Sequence, residues 1–153
     1  VPNVLQQKFP AEKFMVTTKM QFQPNTKISN EKSGLVVMGY SFASLGFKST
    51  KSGINLVYTS CKDAQKGSKE IEQTIIENIG NQIWLRVKVS AGGICQFSYS
   101  WNDKEYTNIS TPFQAEVSRW IGAKIGLYCT RTENTNDAGY ADVDWFRVEP
   151  LLP

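Results

Sequence analysis

The run Asp137-Ala138-Gly139-Tyr140-Ala141-Asp142-Val143-Asp144-Trp145-Phe146-Arg147-Val148 decides how the rest of the chain is read. A glycine-containing turn leads into a segment with the period-two pattern of a strand. Alternation puts Phe146 and Val148 on one face with Asp142 and Asp144, and Val143, Trp145 and Arg147 on the other. Two acids beside two hydrophobes break the inside/outside rule, so this closing strand needs a special explanation. Two are open. Asp142 and Asp144 ligate a structural calcium, a hard cation that takes several oxygens and offsets buried carboxylates, with Asn134-Thr135-Asn136-Asp137-Ala138-Gly139 as a nearby oxygen source. Alternatively, and favoured, they accept backbone or arginine hydrogen bonds at a bulge.

Upstream, Phe14-Met15-Val16-Thr17-Thr18-Lys19-Met20-Gln21-Phe22 reads as a strand with Phe14, Val16, Met20 and Phe22 on one face. Residues 34–40 are apolar on both faces, which predicts a central, doubly covered strand. Ser41-Phe42-Ala43-Ser44 turns into a short strand, Leu45-Gly46-Phe47, and Thr50-Lys51-Ser52-Gly53 is a hairpin turn. Ile54, Leu56 and Tyr58 then alternate with Asn55, Val57 and Thr59. Residues 71–79 suit an amphipathic helix by propensity, but Thr74-Ile75-Ile76 favours a strand. The clearest alternation sets Ile83, Leu85, Val87 and Val89 against Trp84, Arg86 and Lys88. Cys95, Phe97 and Tyr99 share a face, and residues 123–129 form another strand. Short strands with turn signals roughly every ten residues predict an all-β, antiparallel sandwich or jelly roll, a single domain over residues 1–153.

A chain of 153 residues, 41% of them hydrophobic, can bury one core. The net charge is +3, and lysines sit beside acids, as in Glu31-Lys32, Lys62-Asp63 and Asp103-Lys104-Glu105. That is the pattern of a solvated surface, and no nucleic-acid partner is expected. No apolar run approaches the ~20 residues of a membrane span, so no membrane partner is expected either. The first residues carry no charged-then-apolar signal segment. Cys61, Cys95 and Cys129 lack the Cys-x-x-Cys spacing of a zinc site, and Cys95 and Cys129 read as buried, inert thiols. Asn108-Ile109-Ser110 matches the N-glycosylation sequon.

The chain has no histidine, which removes Ser-His-Asp and Cys-His catalysis and any histidine base or metal ligand. Gly39-Tyr40-Ser41-Phe42-Ala43 looks like a nucleophile elbow without its final glycine. Glycosidase chemistry needs two carboxylates ~5–9 Å apart across a sugar. Glu70, Glu72, Asp103 and Glu105 are the available nominees, and all lie in polar, turn-rich surroundings that read as surface.

Several segments, taken in order, resemble one known domain. They are Val4-Leu5-Gln6-Gln7-Lys8-Phe9-Pro10-Ala11-Glu12-Lys13-Phe14, Gly34-Leu35-Val36-Val37-Met38-Gly39-Tyr40, Phe97-Ser98-Tyr99-Ser100, Trp120-Ile121-Gly122-Ala123-Lys124-Ile125-Gly126-Leu127 and Gly139-Tyr140-Ala141-Asp142-Val143-Asp144-Trp145-Phe146-Arg147-Val148. Together they are similar to the C-terminal concanavalin-like β-sandwich of glycoside hydrolase family 43 enzymes, β-xylosidases and α-L-arabinofuranosidases common in gut Bacteroidetes. The likeness runs nearly end to end. In that family the sandwich begins some strands earlier, with a Trp-rich stretch. The resemblance therefore implies first strands that are missing or supplied by another chain, and an edge that something should cover. The family's catalytic acids sit in a five-bladed propeller that this chain lacks, so the resemblance implies no catalysis here. It implies packing on such a propeller, in the same or a separate chain. One sandwich loop, here Gly39-Tyr40-Ser41-Phe42-Ala43-Ser44, would reach the sugar pocket. Phe42 first and Tyr40 second are the implied pocket-lining aromatics. A plant cell-wall glycan and a periplasmic or secreted bacterial setting are implied as well.

Two more rings are candidates. Trp101 sits beside a turn, where a large ring is hard to bury. It either stacks on a sugar or, the favoured reading, packs beneath its own hairpin. Trp84 lies opposite the core-facing set and would line a binding face or a domain interface, whereas Trp120 and Trp145 are expected in the core. The expected function is that of a non-catalytic accessory sandwich of a family 43 glycosidase. The alternatives are an independent carbohydrate-binding module that holds xylan-type glycans on its own aromatics, and a stand-alone lectin-like glycosidase. Apart from calcium, no cofactor is expected.

Overall fold

A computed structural model describes residues 2–118 and 121–151. Trp120, expected in the core, lies outside the described residues. In chain order the strands are β1 (Asn3–Lys8), β2 (Phe14–Gln23), β3 (Lys32–Met38), β4 (Phe42–Thr50), β5 (Gly53–Cys61), β6 (Ile71–Ile79), β7 (Gln82–Ser90), β8 (Ile94–Ser100), β9 (Thr107–Asn108), β10 (Phe113–Gln114), β11 (Lys124–Thr130) and β12 (Tyr140–Pro150). They form two antiparallel sheets. The first has the order β1-β11-β3-β4-β5-β6; the second has β10-β8-β7-β2-β12, with β9 paired to β8. The protein is thus the all-β sandwich that the alternating pattern predicts. Residues 71–79 are a strand, as Thr74-Ile75-Ile76 suggested.

Period-two alternation builds the core between the sheets. From the first sheet, Leu35, Val37, Leu45, Phe47, Leu56 and Ile125 enter it, all without exposed surface. From the second come Phe14, Val16, Met20, Ile83, Leu85, Val87 and Phe97. β3 is covered on both sides, since Val36 faces away from the core yet is also buried. Gly34 and Gly46 face each other across β3 and β4, and a Cβ on Gly34 would stand 2.3 Å from the Leu45 carbonyl oxygen. The backbones approach closely enough there that only glycine fits.

The closing strand departs from strict alternation, and the departure resolves its misplaced acids. In β12, Val143 pairs with Met20 and Trp145 with Lys19, leaving Asp144 as an extra residue at a bulge. A bulge shifts the phase of alternation by one. Ala141 and Val143 therefore share the core side with Phe146 and Val148, opposite Phe22, Met20, Thr18 and Val16. Asp142, Trp145 and Arg147 fall on the outer side. Asp144 bonds Lys19 at 2.6 Å. The expected grouping of Val143 with Trp145 is corrected accordingly, and so is the placing of Trp145 in the core, since it is half-buried on the outer face.

Three further expectations change. The short strand at residues 45–47 is the middle of β4, which begins at Phe42. Of the cysteines, Cys61 and Cys95 are buried and Cys129 is exposed, because β11 lies next to the edge strand. Glu31, read as surface beside Lys32, is only 4% exposed. Its carboxylate accepts the backbone N–H of Asn25 at 2.6 Å and of Gly139 at 3.0 Å, and Arg131 stands 3.6 Å away.

One side of the sandwich is open. β1 and β12 end their respective sheets, and Leu5, Leu127 and Phe146 line a groove of about 280 Å³ between them. Leu5 sits in the rung of Leu127, Leu35 and Leu45, on the core-facing side, yet is 75% exposed.

Candidate functional site

The turn between β3 and β4 is fastened on two sides. The backbone N–H of Tyr40 donates to the Val117 carbonyl at 3.2 Å, and that of Ala64 donates to the Tyr40 carbonyl at 2.8 Å. The Ser41 hydroxyl donates to Glu116 at 2.7 Å and accepts the Asp63 N–H at 3.0 Å. A side chain at Gly39 would collide with the Glu116 carbonyl. Ser41 is thus a structural latch, and its buried hydroxyl is no nucleophile. The latch makes this turn rigid and sets where Tyr40 and Phe42 lie. Both rings are half-buried.

Phe42 opens the outer face of the first sheet. With Val36, Met38 and Val4 it forms the apolar wall of a recess of about 210 Å³. Tyr128, Thr59 and Ser44 supply hydroxyls to the same recess. Burial pushes the Tyr128 phenol up to about 12, so it stays a neutral donor through the physiological range. Glu72 bridges Lys32, at 2.5 Å, and Lys48 along the same face. Burial raises the Glu72 carboxyl, but the hydrogen bonds from the two lysines outweigh it and hold the group below its usual range.

Trp84 lies on the outer face of the second sheet, in the rung Trp84–Lys19–Trp145. Lys19 reaches over the Trp84 ring at 5.5 Å. The next rung joins Arg86, Thr17 and Arg147. Arg86 covers the Tyr106 ring at 3.5 Å and donates to Thr17 at 2.9 Å, and Arg147 covers Trp145 at 3.9 Å. Each cation over a ring is worth about 0.5–1 kcal/mol at an exposed site. Trp145 and Tyr106 belong to this platform. Alternation could not find Trp145 because the Asp144 bulge reverses its face, and Tyr106 lies outside any regular strand.

Trp101 is not part of that platform. It continues the core-facing side of β8, packs edge-on against Tyr99 at 5.8 Å between ring centroids, and remains 48% exposed. It therefore only partly packs beneath its hairpin. Tyr40 and Phe42 stand together, while Trp84 and Trp101 occupy separate places.

The nominated acids are dispersed. Glu72 is held by two lysines, Asp103 accepts the Tyr106 hydroxyl at 2.5 Å, and Glu70 and Glu105 are exposed. In the loop before β12, Arg131 bonds Asp137 at 3.0 Å and Thr135 at 2.7 Å, so a guanidinium supplies the positive charge beside Asp137 and Glu31. Asp142 is exposed on the outer face, and Asp144 is paired with Lys19. Among the described residues, no three His, Cys, Asp or Glu side chains gather as metal ligands.

Comparison with known proteins gives a consistent result. The family model for the β-xylosidase C-terminal concanavalin A-like domain matches residues 1–149. A β-xylosidase of Formosa agariphila is 32% identical over 53 residues, which is 35% of this chain and 9% of that protein. The crystal structure of xylan β-1,4-xylosidase from Bacillus halodurans C-125 superposes on 95% of this chain with a TM-score of 0.76 and 16% identity, and this chain covers 29% of it. Sheep galectin-11 shares the fold at a TM-score of 0.51, 14% identity, and 97% and 98% coverage of the two chains. The chain thus spans less than a third of the glycosidases it matches.

Proposed function

Because the chain belongs to the family of β-xylosidase C-terminal concanavalin A-like domains, we propose that it is a non-catalytic accessory sandwich of a family 43 glycosidase. In this reading it packs on the catalytic propeller and lends Phe42 and Tyr40 to the rim of a pocket for xylose- or arabinose-containing glycans. The family match over residues 1–149 carries the proposal. The latched turn supports it, because a ring that shapes a neighbouring pocket must be held in place before the sugar arrives. The dispersal of the acids and the lack of histidine fit a partner that leaves proton transfer to another module. Action on a cell-wall glycan would place the protein in the periplasm or outside the cell.

A second reading is favoured by the platform on the second sheet. Trp84, Trp145 and Tyr106 present flat rings beside three cations, a surface on which a xylan-type chain would stack without a propeller. Retention of the 153-residue chain on insoluble xylan separates the two. The accessory reading predicts little retention, unchanged in Trp84→Ala and Trp101→Ala, and no turnover of aryl-xyloside or aryl-arabinoside. Strong retention abolished by Trp84→Ala or Trp101→Ala would establish the module instead. Turnover by the chain alone would overturn both.

A further inference from the structure

The recess beside Phe42 contains an unresolved polar account. Thr59 is 3% exposed and Tyr128 9% exposed, yet the Thr59 Oγ1 and the Tyr128 phenol oxygen find no hydrogen-bond partner among the described residues. Ser44 stands beside the phenol but outside hydrogen-bonding geometry. A buried polar atom left without a partner costs about 1–3 kcal/mol, and native proteins carry few such atoms without a reason. Here two of them line one recess.

The surroundings narrow the choice of ligand. Hydroxyl groups donate and accept equally well, so they suit a ligand that does the same. Val36, Met38 and Phe42 offer an apolar wall, which suits a ring with C–H groups on one face. Glu72 bridges Lys32 and Lys48 and the recess-lining Glu70 balances the remaining positive charge, so the rim does not call for a charged ligand. A volume of about 210 Å³ falls below the roughly 300–1,000 Å³ of a drug-sized pocket, which limits the occupant to a single ring.

We propose that this recess on the outer face of the first sheet is a subsite for one neutral sugar ring. Thr59, Tyr128 and Ser44 take its hydroxyls, and Phe42 and Met38 take its apolar face. The inference rests on the accessory reading and extends it: the sandwich grips a sugar unit itself, besides shaping a neighbour's pocket.

The test is an NMR titration of the 153-residue chain with methyl β-D-xylopyranoside, and with methyl β-D-glucopyranoside as the hexose arm. Saturable shifts are expected at the amides of residues 42, 44, 59 and 128. Thr59→Val and Tyr128→Phe should each weaken affinity about fivefold, the effect of one hydrogen bond, while the melting temperature holds or rises. Lys88→Ala, at an exposed position of the second sheet, should leave the affinity unchanged. Shifts confined to the platform around Trp84, no saturable shifts, or unchanged affinity in both hydroxyl variants would overturn the subsite. In that last case the two hydroxyls serve only hydration. Turnover of aryl-xyloside by the chain alone would sink the accessory reading and leave the subsite standing. Loss of the subsite with the accessory kinetics intact would sink this inference alone.

Discussion

Glu31 shows what a single side chain contributes to this fold. It is buried, accepts one backbone N–H from its own loop, at Asn25, and one from the loop before β12, at Gly139, and stands beside Arg131. Hydrogen bonds to a charged group contribute about 1.5–3 kcal/mol each, so Glu31→Gln should lower the unfolding free energy by about 2 kcal/mol, read from urea unfolding at neutral pH. A variant as stable as the parent would show that the loops hold without it. Neighbouring residues in the sequence gave no sign of this role. Glu31-Lys32 reads as a surface pair because burial here comes from Asn25, Arg131 and Gly139, which only the fold brings together. The same holds for the orphaned Thr59 and Tyr128 hydroxyls, whose strands sit at separate places in the sheet.

At the level of the strand, β12 depends on the Asp144 bulge. Deleting Asp144 would restore strict alternation and turn either Ala141 and Val143 or Phe146 and Val148 to solvent. That deletion should cost several-fold more stability than Asp144→Ala, which removes only a surface ion pair worth about 0–1 kcal/mol. Equal melting temperatures for the two would contradict the phase-shift account. The glycine pair of β3 and β4 makes a second test: Gly34→Ala should destabilise by about 2 kcal/mol or more, since the new methyl meets backbone that cannot move aside. The lysine-bridged Glu72 has an acid signature. Its folded value lies below its ordinary 4.5, so its contribution is complete above that pH and is lost as pH falls through the lower folded value. Glu72→Gln should therefore flatten part of the stability loss on acidification below about pH 4.5, followed by thermal unfolding. The strands themselves were legible because β2, β5, β7 and β8 alternate cleanly. β12 was misread at the point where one residue breaks the period, and β4 was cut short because Phe42 and Ser44 face outward.

For the whole molecule, alternation and turn spacing were enough to predict a sandwich, while the ordered motifs supplied the family. Neither could show that Trp84 and Trp101 stand apart, or that Tyr106 and Trp145 join Trp84, because those are relations between strands. The open side between β1 and β12 concerns the molecule as a unit, with Leu5 on the core-facing side of edge strand β1 yet 75% exposed. Such an edge promotes self-association, so Leu5→Lys should reduce concentration-dependent association of the 153-residue chain in sedimentation experiments. The central claim is that this sandwich lends shape and an aromatic rim to chemistry carried out by another module. It is tested most directly by kcat/KM for an aryl-xyloside, measured on the native polypeptide that carries residues 1–153, before and after Phe42→Ala. A loss of about tenfold or more, with an unchanged melting temperature and no turnover by residues 1–153 alone, is the predicted result. Unchanged kcat/KM in the variant, or hydrolysis by residues 1–153 alone, would contradict it.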